Sequence, residues 1–130
     1  MTSAEPLAAA TLTITEVAAR TGLSADTLRY YEKARLISPV SRSAGGQRRY
    51  AASDMAWIEF LLRLRDTGMC IADMQQFAEL RRGGDTTVAE RLALLHGHRQ
   101  RLTERIGQLQ ANGAALDDKI GYYQALLRDA

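Results

Sequence analysis

Residues 12–50 read LTITEVAARTGLSADTLRYYEKARLISPVSRSAGGQRRY and combine two short capped helices, a basic and aromatic cluster and a Gly-Gly turn. Thr13 and Glu16 have the spacing of a capping box, so a helix is predicted to begin directly after Thr13. It should end at Gly22, because glycine adopts the left-handed conformation of a helix C-cap at low cost. Ser24 then predicts the start of a second helix. Two helices joined by so short a turn are typical of a helix-turn-helix.

The second helix carries side chains that suit contacts with duplex DNA. Leu28 is expected to face inward, whereas Thr27, Arg29 and Tyr30 occupy other sides of the helix. Hydroxyl, guanidinium and phenol groups donate to phosphates or base edges when a helix enters the major groove. Tyr31 has two interpretations, which are inward packing beside Leu28 or a phosphate contact.

A two-stranded wing is predicted after this helical region, which Pro39 should end. Val40–Arg42 and Arg48–Tyr50 flank the glycine-containing segment Ser43–Gln47, a spacing typical of a short hairpin. Arg48 and Tyr50 should share one face of their strand, because side chains alternate along a strand.

The charge distribution supports a nucleic-acid-binding face in the first part of the chain. Residues 29–50 contain six basic residues and one acidic residue. Residues 1–50 carry a net charge of +3 (seven basic, four acidic), and residues 51–130 carry −1 (ten basic, eleven acidic). Such asymmetry indicates a partner with many phosphates. A run of basic residues can also be no more than a solvated surface.

The rest of the chain is predicted to be helical. Ser53 with Asp54 should cap a helix that carries Trp57, a shorter helix should follow, and Thr87 with Glu90 should form another capping box. From Val88 onward, twelve positions advance in alternating steps of four and three, and ten of them are apolar. We call these twelve positions the seam. It consists of Val88, Leu92, Leu95, Arg99, Leu102, Ile106, Leu109, Gly113, Leu116, Ile120, Tyr123 and Leu127.

A helix with this seam needs a partner. At about 1.5 Å per residue it would span about 60 Å, which is too long to be buried against a head of about 70 residues. A homodimer is therefore expected. The predicted dimerisation residues are Leu92, Leu95, Leu102, Ile106, Leu109, Leu116, Ile120 and Tyr123.

Composition argues against several other classes of protein. The sequence has no Ser-His-Asp set, no phosphate-binding loop and no clustered metal ligands, so neither an enzyme nor a cofactor or metal site is expected. His96 and His98 lie two apart on a helix and would make a poor chelate. No apolar run approaches the roughly 18 residues of a membrane span. Residues 1–11 should form a disordered leader, and a single cysteine suits a reducing cytoplasm.

With these motifs in order, residues 12 to about 128 resemble the MerR family of bacterial transcriptional regulators. TLRYYE on the second helix, the Arg-rich wing ending in Tyr, and SDMAWIEFLLRLRDTGMCIADM carry the resemblance. It implies a mainly α fold with a winged helix-turn-helix head at residues 12–82. It also implies a dimerisation helix at residues 86–128 that forms an antiparallel coiled coil.

The resemblance also implies a function. Members act as dimers on a palindromic operator in an overlong promoter spacer and distort the DNA for RNA polymerase. Arg29 and Tyr30 match the family's R-Y-Y motif, and Arg48 and Tyr50 match the R-x-Y of its wing. Arg63 and Arg65 lie near positions where members touch phosphates. The full set of expected DNA contacts is Ser24, Thr27, Arg29, Tyr30, Arg42, Arg48 and Tyr50.

Two questions stay open at this level. The helix that carries Trp57 and the segment GDTTVAERLALL at residues 84–95 are most similar to the branch of the family that responds to aldehyde and thiol stress. Arg63, however, occupies the place where a cysteine is expected in that branch. Cys70 is either a small half-buried residue at a helix junction, which is the more common role, or a redox or electrophile sensor beside a helix N-terminus. An architectural or excisionase-like DNA-binding protein is the alternative to a regulator, and no effector is indicated.

Overall fold

A computed structural model describes residues 10–130. Residues 1–9, which make up most of the expected leader, lie outside the described residues. The described residues form five α-helices, three short strands and one 3₁₀ turn. In chain order these are β1 (Leu12–Thr13), α1 (Ile14–Thr21), α2 (Ala25–Lys33), β2 (Ser41–Arg42), β3 (Arg48–Tyr50), α3 (Ala52–Asp66), α4 (Ile71–Arg82), the 3₁₀ turn (Gly84–Thr87) and α5 (Val88–Asp129). The mainly α fold with a winged head and a long C-terminal helix is confirmed.

Both ends of α1 follow the predicted chemistry. The Glu16 N–H donates to the Thr13 hydroxyl at 3.1 Å, and the Thr13 N–H donates to the Glu16 carboxylate at 2.8 Å. These hydrogen bonds with Thr13 lower the pKa of Glu16. At the other end Gly22 has φ +75° and donates to the Ala18 carbonyl at 2.9 Å. The turn therefore directs the chain into α2 within three residues.

The end of α2 differs from the prediction, because the helix stops at Lys33 and does not continue to Pro39. Arg35 adopts φ +63°, which turns the backbone out of the helix. The N–H groups of Leu36 and Ile37 both donate to the Tyr31 carbonyl, at 2.9 and 3.2 Å. Leu36 and Ile37 face inward after this turn, since both are buried.

The wing belongs to a three-stranded antiparallel sheet of order β1-β3-β2. The hairpin pairs Arg42 with Arg48, as its spacing predicts, although its first strand begins at Ser41 and not at Val40. On the other side of β3, Leu12 pairs with Tyr50, a pairing that the sequence did not predict. Thr11 is also held in place, because its hydroxyl accepts a hydrogen bond from Arg49 at 2.9 Å. The predicted disordered leader is therefore too long at its C-terminal end.

An aromatic cluster on α3 and α4 forms part of the core. The Trp57 indole N–H donates to the Leu36 carbonyl at 2.8 Å, and its ring stacks on Phe77 with centroids 5.8 Å apart. The Arg81 guanidinium covers the Trp57 ring at 4.4 Å. Trp57 is thus a core residue that ties α3 to the segment after α2.

One predicted cap is right in part, and another is wrong. Asp54, and not Ser53, accepts the backbone N–H of Ala51 at 2.8 Å at the start of α3. At the start of α5, the Thr87 hydroxyl donates to the carbonyls of Leu80 and Gly84 instead of entering a capping box. A threonine hydroxyl can donate as well as accept, and here α4 and the 3₁₀ turn each offer it one carbonyl group.

The chain divides into two compact units, of which Arg91 is the last residue of the first and Leu92 the first residue of the second. In the second unit α5 continues without a break to Asp129, and its 42 residues correspond to about 63 Å. Most of the seam's large apolar side chains are exposed. Those exposed include Leu92, Ile106, Leu109, Leu116, Ile120, Tyr123 and Leu127.

Candidate nucleic-acid interface

A small hydrogen-bond network fixes the first turn of α2 and uses two of the expected DNA contacts. The Thr27 N–H donates to the Ser24 hydroxyl at 3.0 Å, and that hydroxyl donates to the Thr27 hydroxyl at 2.9 Å. Ser24 has the extended backbone of a helix N-cap and is exposed. Its hydroxyl therefore orients the start of the helix and remains at the surface.

Arg29 and Tyr30 lie on the exposed side of α2. Arg29 pairs with Asp26 at 2.8 Å, and the two side chains are 49% and 94% exposed. Exposed pairs of this kind contribute at most about 1 kcal/mol, so Arg29 can exchange Asp26 for a phosphate at little cost. Tyr30 is 53% exposed, whereas its neighbour Tyr31 is buried. Of the two interpretations of Tyr31, the structure supports inward packing.

A groove of about 290 Å³ separates α2 from the wing, and we call it the arginine groove. Three arginine side chains contribute to its wall, and the wing turn closes it. Its lining residues are Ile14, Arg29, Arg42, Gly45, Gly46, Gln47 and Arg48. Guanidinium groups form bidentate, charge-assisted hydrogen bonds with phosphate oxygens. The chemistry of the groove therefore fits a backbone phosphate.

The two wing arginines are held differently. Arg42 is exposed, and its Nη1 donates to the Gly46 carbonyl at 3.1 Å within the turn. Arg48 pairs through Nε with the Glu32 carboxylate at 2.6 Å, and these side chains are only 21% and 13% exposed. This half-buried ion pair joins β3 to α2. Arg48 therefore sets the position of the wing in addition to lining the groove.

Tyr50 is a correction to the expected set of contacts. It is 1% exposed and packs in the core of the head, where burial raises the pKa of its phenol. The alternation along β3 places Arg48 and Tyr50 on one side, but that side turns inward at Tyr50. A side chain this buried cannot reach a phosphate, so Tyr50 supports the wing from beneath.

Glu32 is the functional residue that sequence reasoning missed. It is the single acidic residue among residues 29–50, and an isolated carboxylate in a basic stretch is a signal for an internal ion pair. Its partner was not evident, because Arg48 is sixteen residues away across the wing.

The secondary arginines lie on α3. Arg63 is exposed and lines a second groove of about 530 Å³ with Arg20, but the carboxylates of Glu59 and Asp66 line the same groove and balance the two positive charges. Arg65 is paired with Asp66 at 2.8 Å. Both secondary arginines therefore have acidic neighbours.

Cys70 is exposed and not half-buried as the more common role would have it. It occupies the N-cap position of α4 with extended backbone. Among residues 10–130 there is no group of three or more His, Cys, Asp or Glu side chains that could hold a metal ion. No helix in the same range is long and apolar enough to cross a membrane.

Comparison with known proteins identifies the family. Residues 12–80 match the family described as MerR HTH family regulatory protein, and residues 55–119 match the family described as MerR, DNA binding. The chain belongs to the MerR family. A Haemophilus influenzae relative, an uncharacterised HTH-type transcriptional regulator, is 36% identical over 88% of this chain and 84% of its own length. The regulator AdhR of Bacillus subtilis is 43% identical over 72% of this chain and 66% of its own length.

Solved structures give the same family and fold. HiNmlR, a MerR family regulator lacking the sensor domain and bound to promoter DNA, has a TM-score of 0.81 and 36% identity. The match covers 88% of this chain and 90% of HiNmlR. A MerR family regulator from Bacillus thuringiensis has a TM-score of 0.77 and 29% identity, covering 85% of this chain and 97% of that one. This MerR family member is therefore a DNA-binding transcriptional regulator.

Proposed function

We propose that two copies of this regulator bind a palindromic operator within an overlong promoter spacer and distort the DNA to control transcription by RNA polymerase. The arginine groove is the observation that carries the proposal. It supplies three guanidinium groups between a helix and a wing, and the HiNmlR structure shows a related chain on promoter DNA. The site of action would be the cytoplasm, and the chain would act by binding and not by catalysis.

Within this proposal the contacts have different tasks. Arg29 and Arg42 bind phosphates on the two sides of the groove, and Tyr30 with Thr27 adds neutral donors from α2. Ser24 orients the first turn of α2. Arg48 holds the wing against that helix through Glu32, so that the groove keeps its width.

The homodimer follows from the exposed seam of α5. A single helix that exposes leucine and isoleucine side chains along most of its length leaves apolar area in water, and pairing with a second seam removes it. A two-fold dimer requires a two-fold operator, with half-sites separated by a whole number of helical turns.

In vitro transcription tests the distortion. The native promoter should be weak without the protein and should respond to it, whereas a promoter with its spacer shortened by two base pairs should be active without the protein. A spacer that already has the ordinary length, or a shortened promoter that still requires the protein, would argue against distortion. Binding without any effect on transcription would favour the architectural alternative.

We further propose Cys70 as the residue through which a redox or electrophilic signal acts. Its thiol is exposed at the N-terminal end of α4, where the helix favours negative charge. A reporter under the regulator's own promoter provides the test, with thiol-reactive aldehydes as inducers. Cys70→Ser should abolish the response and retain operator binding, and a full response in this variant would remove Cys70 from consideration.

A further inference from the structure

The seam of α5 has two interruptions, Arg99 and Gly113, and they discriminate between the possible arrangements of two helices. We propose that α5 adopts one particular register in the antiparallel coiled coil that the family resemblance implies, with Arg99 bound to the partner's Asp117. A layer consists of one seam residue and the seam residue level with it on the partner helix. In the proposed register the two residue numbers in every layer add up to 215. The inference rests on the homodimer proposed above and adds its register and an ion pair between subunits.

The two interruptions exclude a parallel pair in register. A parallel arrangement would stack Arg99 on the partner's Arg99 inside the seam, where like charges repel each other at low solvent exposure. It would also place Gly113 against the partner's Gly113 and leave a void, which costs stability. An antiparallel arrangement sets each interruption against a large apolar side chain.

The seam repeats every seven residues. Two antiparallel seams therefore face each other only at registers whose sums differ by seven. A sum of 215 pairs all twelve positions of the seam, from Val88 to Leu127. Its layers are Val88 with the partner's Leu127, Leu92 with the partner's Tyr123, Leu95 with the partner's Ile120, Arg99 with the partner's Leu116, Leu102 with the partner's Gly113, and Ile106 with the partner's Leu109. The neighbouring registers have sums of 208 and 222, and they leave one end of the seam unpaired.

Charges beside the seam also favour the middle register. Arg105 lies on the helix edge next to the seam, and this edge faces the same edge of the partner, which carries residues 105, 112 and 119. At a sum of 222 the residue nearest to Arg105 on that edge is the partner's Lys119, and at a sum of 208 it is the partner's Arg105. A sum of 215 sets Arg105 beside the partner's Asn112. Like charges facing each other across a coiled coil act against a pairing, so the neighbouring registers are disfavoured.

The conformation of Arg99 provides an independent observation. Its Nη1 donates to the Thr103 hydroxyl at 2.7 Å, so the guanidinium lies on the helix edge that carries Thr103. Steps of seven residues along the same edge lead to Gln110, Asp117 and Gln124. In an antiparallel pair this edge faces the same edge of the partner.

Only the proposed register brings an acid to this edge opposite Arg99. A sum of 215 places Arg99 level with residue 116 of the partner helix, next to the partner's Asp117. Sums of 222 and 208 place Arg99 next to the partner's Gln124 and the partner's Gln110. Asp117 is exposed and forms no ion pair among the residues that the structure describes. The arginine in the seam thus acquires a counter-charge from the second copy.

Spin-label distances test orientation and register together. Single labels at Glu104→Cys and Asp118→Cys, both exposed and pointing away from the seam, are introduced in the Cys70→Ser chain. The sum of 215 predicts axial separations of about 10 Å for position 104 and about 32 Å for position 118. A sum of 222 predicts about 21 Å for both, a sum of 208 predicts about 0 and about 42 Å, and a parallel pair predicts no axial separation for either.

A charge exchange tests the ion pair. Arg99→Glu and Asp117→Arg should each weaken dimerisation about tenfold or more, because each creates two like-charge contacts per dimer. The double variant should recover most of the loss. Asp118→Arg is the matched control, since it makes the same charge change one residue away on the outer side of the helix and should leave dimerisation within about twofold of the parent.

Sedimentation equilibrium separates failure of this inference from failure of the proposed function. A dimer with the distances of another arrangement, or without recovery in the double variant, would overturn the register and leave the homodimer standing. A parent chain that stays monomeric would overturn both.

Discussion

The ion pair between Glu32 and Arg48 should stabilise the head by about 1–2 kcal/mol. Its Oε1 and Nε atoms lie 2.6 Å apart, and the side chains are 13% and 21% exposed. Fully exposed pairs contribute about 0.2–1 kcal/mol, and removal of one partner from a fully buried pair costs about 3–5 kcal/mol. The exposure of this pair lies between the two cases but nearer the buried one, and part of the Coulombic gain is offset by desolvation.

A double-mutant cycle measures this contribution. The free energy of unfolding in urea is determined for the parent, Glu32→Gln, Arg48→Met and the double variant, at one protein concentration because association shifts apparent stability. The exposed Asp26–Arg29 pair is the matched control, and Asp26→Asn with Arg29→Met should couple by less than about 0.5 kcal/mol. A Glu32–Arg48 coupling as small as that of the control would refute the reasoning that this pair anchors the wing.

Three further substitutions test the head, and a fourth, in α5, is the control for one of them. Tyr50→Phe should leave operator affinity within about twofold of the parent. Burial raises the pKa of Tyr50 above its ordinary value of 10.0, so stability that is present below that pH is lost as pH rises through the folded-state pKa. The variant should therefore lose less stability in alkali, as followed by circular dichroism. Trp57→Phe should cost about 1–3 kcal/mol in urea unfolding, because it leaves the buried Leu36 carbonyl without its 2.8 Å hydrogen bond. An unchanged midpoint would contradict that role. Gly22→Ala should cost about 1–2 kcal/mol from its φ of +75° alone, since an added Cβ meets nothing within 4 Å. Gly107→Ala inside α5 should instead stabilise by about 0.5–1 kcal/mol, and equal effects of the two would contradict the assigned backbone strain.

The sequence predicted those parts of the head whose local chemistry has one solution. Thr13 with Glu16, Gly22 and Ser24 each satisfy backbone groups within a few residues, so the ends of α1 and the start of α2 could be placed closely. The glycine turn of the wing is similarly local. The α5 pattern persists over enough residues to leave no ambiguity about its type.

Other features depend on contacts between distant residues and could not be derived in this way. β1 is only two residues long and exists because Leu12 and Thr13 pair with β3. Tyr50 was misplaced since alternation determines which residues share a face but not which face is buried. The early end of α2 reflects Arg35 in a left-handed conformation, which favours glycine and asparagine and was therefore not expected of arginine.

A footprint on the regulator's own promoter region, with the parent chain and Arg29→Ala, shows whether α2 and the wing bind a palindromic operator. The parent chain should protect a palindrome between the two promoter elements. The same site should show weaker protection with Arg29→Ala, and the affinity should depend less steeply on salt because fewer phosphates are neutralised. Protection without symmetry, or equal protection by the parent and Arg29→Ala, would contradict the account of how this family member binds DNA.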